Sequence, residues 1–258
     1  MGKIGIIGGT GVYDPSWVEN AKPEKVHTPY GPTSDLVTTG IFQDKEVVFL
    51  LRHGISHTIP PHKINFKANI YALKEMGVDK IIATAAVGSL KEDYKPKDIV
   101  VPDQFIDMGK DITTFYDEGQ FYHVSMADPF CNELRTHLVN TSKLLSIKSH
   151  ETGTYLRVSG PQFSTRSASS MFRRHADIIG MTVVPEAILA REKEMCFACL
   201  AAITDYDCWA AKPVSSEEVK STMAENLDKL KRILERSIKD MPDNFNCNCQ
   251  NALKDAAA

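Results

Sequence analysis

The chain has 258 residues, 43% of them hydrophobic, and a formal net charge of −3 at pH 7. This is enough apolar chain for the core of one large α/β domain. The slight acidity argues against a nucleic-acid partner, because such a surface needs a block of Lys and Arg. No apolar run approaches the ~18 residues of a membrane span, and no secretory signal is apparent. We therefore expect a cytoplasmic protein that binds no membrane and acts on a small molecule.

The predicted elements alternate between strands and helices. A strand over residues 3–7 ends in glycines, a second over 47–51 ends in Arg52-His53, and helical periodicity over 64–75 ends at Gly77. A capping box at Ser215–Glu218 begins a last helix that runs to Met241. This order predicts one α/β domain over 1–245 and a polar, frayed tail over 246–258. Further strands are predicted at 80–83, 98–102, 155–159, 177–180 and 197–204, and a further helix at 183–193.

The glycine run Gly8-Gly9-Thr10-Gly11 follows the first strand. A dinucleotide fingerprint would need its third glycine where Asp14 stands, and Pro15 comes next. The Gly-Lys-Ser/Thr ending of an ATP-binding loop is also missing. Two interpretations stay open, which are a turn that binds an anion with the help of the Thr10 hydroxyl, and a structural turn without a ligand.

Two more segments supply groups that bind anions. The guanidinium of Arg52, beside His53 at a predicted strand end, is able to bind an oxyanion through two N–H groups, although such a pair is more often a surface ion pair. Thr182 precedes the predicted helix 183–193, where it is either an anion ligand or an ordinary N-cap. With Thr10, these residues indicate one site for a small anion.

Two carboxylates, Asp205 and Asp207, end the most apolar predicted strand. Alternate residues of a strand share a face, so both acids are expected to address one ligand. The alternative is a pair of capping or solvated acids. Mutual repulsion raises one pKa and keeps a proton available near neutrality. That proton suits N7 of a departing purine, while an anion captures the sugar.

The residues now resemble a known family along nearly the whole chain. The chain is similar to the trimeric purine nucleoside phosphorylases, and among them to the archaeal methylthioadenosine phosphorylase branch. The matching stretches are GIIGGTG at 5–11, TPYG at 28–31, RHG at 52–54, NIYALKEMGV at 69–78, AVGSL at 86–90, DQFIDM at 103–108, HVSMADPFC at 123–131, GPQFSTR at 160–166, GMTVVPE at 180–186 and TDYDCW at 204–209.

The resemblance implies a fold and an activity. The implied fold is a single domain whose mixed, twisted and partly barrel-like sheet is flanked by α-helices. The implied reaction, part of methionine and purine salvage, is phosphorolysis of S-methyl-5′-thioadenosine to adenine and 5-methylthioribose 1-phosphate. No metal or organic cofactor is implied. Phosphorolysis of a 6-oxopurine nucleoside or of methylthioinosine is the alternative.

The resemblance also implies roles for single residues. Asp205 donates a proton to N7 and Asp207 accepts from the exocyclic amine. Asp205 and Ser164 replace the Asn and Glu of relatives that act on 6-oxopurines. His123 reaches into a neighbouring subunit, which implies a homotrimer or a hexamer of two trimers. Ser216 replaces a valine of the 5′ pocket, so adenosine is expected as a secondary substrate. The implied phosphate ligands are Thr10, Arg52, His53, the backbone at Ala85 and Ala86, and Thr182; the implied walls around base and ribose are Phe163 and Met181.

Two departures from the family pattern fall in one loop. The usual GPRFSTRAES reads GPQFSTRSAS here, so Gln162 replaces an arginine and Ala168 replaces a glutamate. Both charges are lost together. If they pair in relatives, the change is structural, and if either contacts substrate, it bears on activity.

The six cysteines fall into two groups. Most have apolar neighbours typical of buried thiols, whereas Cys247-Asn248-Cys249 lies in the polar tail. No second pair stands at the spacing of a four-ligand zinc site, so no metal site is predicted. Two interpretations of the tail pair stay open, which are a redox or disulfide role and two plain exposed thiols. The resemblance adds that Cys131 and Cys196 occupy positions of a disulfide in hyperthermophilic relatives, whose tails this tail resembles.

Overall fold

The computed structural model describes residues 2–9, 12 and 17–258. Thr10 therefore lies outside the described residues. Eleven strands and five α-helices occur in the described part. The strands are β1 (Lys3–Gly8), β2 (Glu19–Glu24), β3 (Val37–Phe42), β4 (Lys45–Leu51), β5 (Val78–Ser89), β6 (Ile99–Val100), β7 (Gln104–Asp107), β8 (Ser149–His150), β9 (Thr154–Arg157), β10 (Ile178–Gly180) and β11 (Cys196–Asp205). The helices are α1 (Phe66–Glu75), α2 (Asn132–Leu144), α3 (Arg166–Phe172), α4 (Val183–Glu192) and α5 (Ser216–Lys239).

Strand β5 is the centre of the single mixed sheet. It lies between β1 and β11 and is parallel to both, and near its end it pairs antiparallel with β10. One path of strands runs β2-β3-β4-β1-β5-β10-β9-β7, and β11, β6 and β8 branch from β5. The expected single α/β domain with a mixed sheet is confirmed. Because β1, β4, β5 and β11 run parallel, their carboxyl ends meet at one edge, where α/β proteins bind ligands.

Helices cover both faces of this sheet. Successive residues of β5 point to opposite faces, so Ile81 packs in the core on one side and Ile82 in the core on the other. Helices α1 and α4 contribute Leu73 and Ala187 to the first core. Helices α2 and α5 contribute Leu138, Leu230 and other residues to the second. None of the described helices combines the length and the hydropathy needed to cross a membrane.

The predicted elements agree with the structure where their patterns are strong. Helix α1 begins at Phe66 rather than at residue 64, because the side chain of Asn65 accepts the N–H of Ala68 as an N-cap. Strand β5 extends well beyond the predicted 80–83. The elements without a prediction are β2, β3, β7, β8, α2 and α3. Of these, β2 is an exposed strand that contains Pro23 and lies at the end of the strand path.

The C-terminal tail is ordered, so the expectation of a frayed end is wrong. Cys249 is buried at the start of a short 3₁₀ turn, Cys249–Asn251. Ala257 pairs with Tyr122 as an isolated β-bridge. The carbonyl of Ala256 accepts the N–H of His123 at 2.8 Å. Main-chain hydrogen bonds to a distant loop thus hold the tail, a feature that composition does not reveal.

Candidate active site

A cavity of about 940 Å³ opens at the edge where the parallel strands end. Strands β1, β4 and β11 contribute residues at or just beyond their ends, as the α/β rule predicts. The last half of β5 also lines the cavity, and so does the end of β10, although β10 runs antiparallel to β5. Ala86 is exposed although its neighbours in β5 are buried, because the cavity opens beside it. The predicted residues that line the cavity are Arg52, His53, Ala85, Ala86, Phe163, Ser164, Met181, Thr182, Asp205, Asp207 and Ser216.

Arg52 is held by an ion pair under the cavity. Its Nε and Nη2 donate to the two carboxylate oxygens of Glu186 at 2.5 and 2.8 Å, and its Nη1 donates to the carbonyl of Thr84 at 2.8 Å. Burial disfavours the charge, but Glu186 overcomes this and raises the pKa of Arg52. The sequence predicted a two-point contact of Arg52 with an anion. That contact is made with Glu186, and two of the five N–H groups remain for a ligand.

Glu186 was missed by the sequence analysis. It lies in the first turn of α4 and is only 1% exposed. An acid in a first helical turn is common because it complements the helix dipole. The sequence position of Glu186 therefore gave no sign that it pairs with Arg52. A buried arginine needs a buried carboxylate as its partner. A prediction that Arg52 is buried would therefore have led to a search for such a carboxylate, and so to Glu186.

His53 is neutral and has a defined tautomer. Burial, with a smaller effect from the charge of Arg52, lowers its pKa to about 4. Its Nδ1 lies 2.8 Å from the carbonyl of Ile59 and must therefore carry the proton. Nε2 then holds a lone pair. His53 is suited to accept a hydrogen bond from a protonated oxyanion rather than to neutralise one.

Two threonine hydroxyls complete this end of the cavity. Thr84 Oγ1 is buried and has no hydrogen-bond partner among the described residues. A Cβ placed on Gly8 would lie 3.2 Å from it, so the hydroxyl lies beside Gly8 at the end of β1. Thr182 occupies the N-cap position of α4, but its side chain makes no capping hydrogen bond. The alternative of an ordinary N-cap is therefore wrong, and the hydroxyl is left for a ligand at a positive helix end.

The two acids lie at the other end of the cavity. Asp205 is 7% exposed, and its two oxygens accept from Thr204 Oγ1 at 2.7 Å and from the N–H of Asp207 at 2.8 Å. Burial is the main cause that raises the pKa of Asp205, with the charge of Asp207 a lesser cause. The sequence analysis predicted a raised pKa from mutual repulsion of the two acids, and that repulsion is only the lesser cause. A side chain at Gly88 would come within 2.9 Å of Asp205 Oδ1, so glycine is required there.

Asp207 reaches the cavity by a turn and not by strand alternation. Strand β11 ends at Asp205, and Asp207 has a φ of 48° in the left-handed region. The expected shared strand face is therefore wrong, although both acids line the cavity. Asp207 Oδ2 is buried and has no partner among the described residues. A buried acceptor without a donor is costly, and a ligand N–H would satisfy it.

The remaining walls combine apolar and polar side chains. Phe163 is 43% exposed, and beside it Ser164 Oγ is buried without a partner in the described part of the chain. Met181 also lines the cavity. Helix α5 closes the far side with Val219 and Met223 among others. His123 does not line this cavity; it is exposed and packs edge-on against Phe121.

Of the two departures in the GPQFSTRSAS loop, the one at Ala168 has a structural explanation. Thr165 is the N-cap of α3, and its side chain accepts the N–H of Ala168 at 3.1 Å. Ala168 is thus the third helical residue, where a glutamate would complete a capping box. Alanine cannot supply the side-chain half of such a capping box. Gln162 is exposed.

Comparisons with known proteins agree with this geometry. A family profile described as "Phosphorylase superfamily" matches residues 3–239. The S-methyl-5′-thioadenosine phosphorylase of Thermofilum pendens is 54% identical over 256 residues, which are 98% of each chain. The enzyme of that name from Saccharolobus solfataricus is 53% identical over 98% of this chain and 96% of its own. The crystal structure of the Schistosoma mansoni methylthioadenosine phosphorylase with adenine has a TM-score of 0.92, 34% identity, and coverage of 98% and 96%.

The raised pKa of Asp205 predicts a pH-dependent effect of Asp205→Asn on stability. Ionisation costs more in the folded state, so the wild type loses stability as pH rises above the ordinary value of 3.8. Asparagine does not ionise. We expect the free energy of unfolding of the variant to be no higher than that of the wild type near pH 4 and higher near neutrality. Urea unfolding from about pH 4 to about pH 8 measures this difference. The exposed Asp228→Asn on α5 serves as the control, and an equal gain at every pH would contradict the assignment.

Proposed function

The chain belongs to the phosphorylase superfamily, and from that premise we propose that it cleaves S-methyl-5′-thioadenosine with inorganic phosphate to adenine and 5-methylthioribose 1-phosphate. One observation carries the proposal. A single cavity has a buried cation and unpartnered hydroxyls at one end and a protonatable buried carboxyl at the other. Phosphorolysis of an N-glycosidic bond needs these two ends on opposite sides of one sugar.

We assign inorganic phosphate to the end around Arg52. Its two remaining N–H groups and the hydroxyls of Thr84 and Thr182 supply donors, and the N-terminus of α4 adds positive potential. Neutral His53 accepts the hydrogen of a monoprotonated phosphate through Nε2. Ala85 has no hydroxyl, so with Ala86 it contributes only backbone. The Thr84 hydroxyl, which the sequence analysis did not include, adds a donor beside them. Thr10 remains a proposed ligand from the family resemblance.

We assign the purine to the end around Asp205. Burial raises its pKa, so this carboxyl holds a proton more readily than an exposed aspartate does. In the proposed step it passes that proton to N7 as the bond from N9 to C1′ breaks. A phosphate oxygen then bonds to the cationic C1′, and the base leaves as neutral adenine. Phe163 and Met181 flank base and ribose. The chain's own residues supply every group in this step, so no cofactor is assigned.

Selectivity for a 6-aminopurine follows from Asp207. Its buried Oδ2 lacks a donor, and the exocyclic N–H of adenine supplies one. A 6-oxopurine would instead place its own acceptor against this oxygen, leaving both groups unpaired. Ser164 leaves room beside the base. Val219 and Met223 suit a 5′-methylthio group, while Ser216 favours some tolerance of the 5′-hydroxyl of adenosine.

A homo-oligomer accounts best for His123. Its side chain is exposed and lies outside the cavity of its own chain, as a residue given to a neighbouring subunit must. We propose a trimer or a hexamer of two trimers in the cytoplasm. The loop of His123 is fixed by the tail, which makes it a defined surface for such a contact.

The direct test measures adenine release from methylthioadenosine with and without phosphate, in parallel with adenosine, inosine and methylthioinosine. We expect release from methylthioadenosine that depends on phosphate, slower release from adenosine and none from the 6-oxo substrates. Release without phosphate would indicate hydrolysis, and equal turnover of inosine would overturn the role of Asp207.

The proton donor is tested by Asp205→Asn. We expect kcat for methylthioadenosine to fall about 100-fold or more, the usual contribution of general acid catalysis, with little change in KM for phosphate. Steady-state kinetics at saturating phosphate give both values. Asp228→Asn controls for the change of net charge, and an unchanged kcat would remove Asp205 from the mechanism.

The added phosphate ligand is tested by Thr84→Val, which removes the hydroxyl at nearly constant volume. A hydrogen bond to a charged group contributes about 1.5–3 kcal/mol, so we expect KM for phosphate to rise about ten-fold or more while KM for methylthioadenosine stays near its wild-type value. Thr84→Ser keeps the hydroxyl and should restore phosphate affinity. The same KM for phosphate in both variants would remove Thr84 from the site.

A further inference from the structure

Four cysteines converge at the end of the molecule away from the cavity. Cys131 is the N-cap of α2, Cys196 is the first residue of β11, and Cys247 and Cys249 belong to the tail. Their four Sγ atoms all lie within 4.8 Å of one another, and Cys196 and Cys247 are 3.5 Å apart. The absence of a second cysteine pair in the sequence was the reason for predicting no metal site. The fold supplies that pair from two distant elements.

The spacing of the sulfurs matches a four-coordinate metal. Zn–S bonds of ~2.3 Å in a tetrahedron place the sulfurs about 3.8 Å apart. Each sulfur in the cluster has the other three within reach, so the geometry selects no particular pairing into disulfides. Cys131, Cys196 and Cys249 are buried, which suits a closed structural site.

The charges around the cluster indicate thiolates. Arg191 Nη1 donates to Cys249 Sγ at 3.7 Å, and Arg191 has no carboxylate partner within 4.0 Å in the described part of the chain. Lys80, which also pairs with Asp79, lines a small cavity together with Cys196 and Cys247. The N-terminus of α2 adds positive potential at Cys131. Neutral thiols or disulfides need no such cations, whereas a zinc ion with four thiolates carries two negative charges.

We propose that Cys131, Cys196, Cys247 and Cys249 bind one structural zinc ion. The ion takes the place of four thiol protons, which leave to solvent, and no electron is transferred. The proposal does not depend on the reaction assigned to the cavity. Cys199 and Cys208 are the cysteines outside the cluster.

The site would fasten the tail and, through it, the loop of His123. Beyond Cys249, the tail binds this loop by the bond from His123 N–H to the Ala256 carbonyl and by the bond from Gln120 Nε2 to the Ala258 carbonyl, both 2.8 Å. Glu194 Oε1 also accepts the N–H of Leu253 at 3.2 Å. Release of the metal would therefore loosen the tail, and the tail holds residues 120–123 in position.

The experiment separates a metal from disulfides in the unmodified protein. The chain is purified with a non-chelating phosphine reductant and zinc, desalted, and its zinc is released by a mercurial reagent and counted with a chromogenic chelator. We expect one zinc per chain. Intact mass under native conditions should show the metal, and a denatured chain should carry six free thiols. A chain four hydrogens lighter without zinc, even after reduction and zinc addition, overturns the proposal.

Thermal unfolding gives an independent readout. We expect a strong chelator to lower the melting temperature and reductant alone to leave it unchanged. The opposite pattern identifies disulfides, and insensitivity to both identifies plain thiols; either result overturns the proposal. Cys247→Ser with Cys249→Ser should abolish both zinc binding and the chelator effect, while Cys208→Ser should keep one zinc. If the double variant does not fold, the measurements on the unmodified chain still decide.

Discussion

The buried ion pair between Arg52 and Glu186 is the constraint on which the cavity depends. It joins the residue after β4 to the first turn of α4, and a third bond ties the same guanidinium to the Thr84 carbonyl in β5. Both side chains are almost fully buried, so loss of either would leave an uncompensated charge at a cost of several kcal/mol. The pair thus fixes the guanidinium before any ligand arrives. An anion then meets donors that need no reorganisation.

Other polar groups that line the cavity lack hydrogen-bond partners within the part of the chain that the structure describes. Thr84 Oγ1, Ser164 Oγ and Asp207 Oδ2 are buried and lack partners among the described residues, and each lowers the stability of the folded chain. Asp205 adds to this, since burying an ionisable carboxyl is unfavourable. Such groups cluster where a ligand supplies what is missing. Five further buried polar atoms without partners in the described part of the chain lie outside the cavity. What marks the three named here is that they line one cavity, where a ligand is able to reach them.

Strong local patterns made much of this predictable. The parallel strands β4 and β11 put Arg52 and Asp205 at one edge, because carboxyl ends of parallel strands meet. Thr182 follows β10, which runs antiparallel to β5, and its position before a predicted helix was the signal that indicated it. Glu186 and Thr84 escaped prediction, since an acid in a first helical turn and a threonine inside a strand are ordinary there. Likewise, no spacing in the sequence could bring Cys131 and Cys196 to the tail. Contacts between distant elements, and the left-handed turn at Asp207, depend on the assembled fold.

Strand β11 connects the cysteine cluster to the cavity, and its length sets the distance between them. Cys196 begins it and Asp205 ends it, so a rise of ~3.3 Å per residue puts them about 30 Å apart. At that distance two unit charges interact by only about 0.6 kcal/mol at an effective dielectric constant of ~20, so the cysteine cluster has little electrostatic effect on the carboxyl. Any influence of the cluster on catalysis must therefore pass through the tail to the loop of His123. In the oligomer that we propose, His123 would carry such an influence to a neighbouring subunit, since it lies outside the cavity of its own chain.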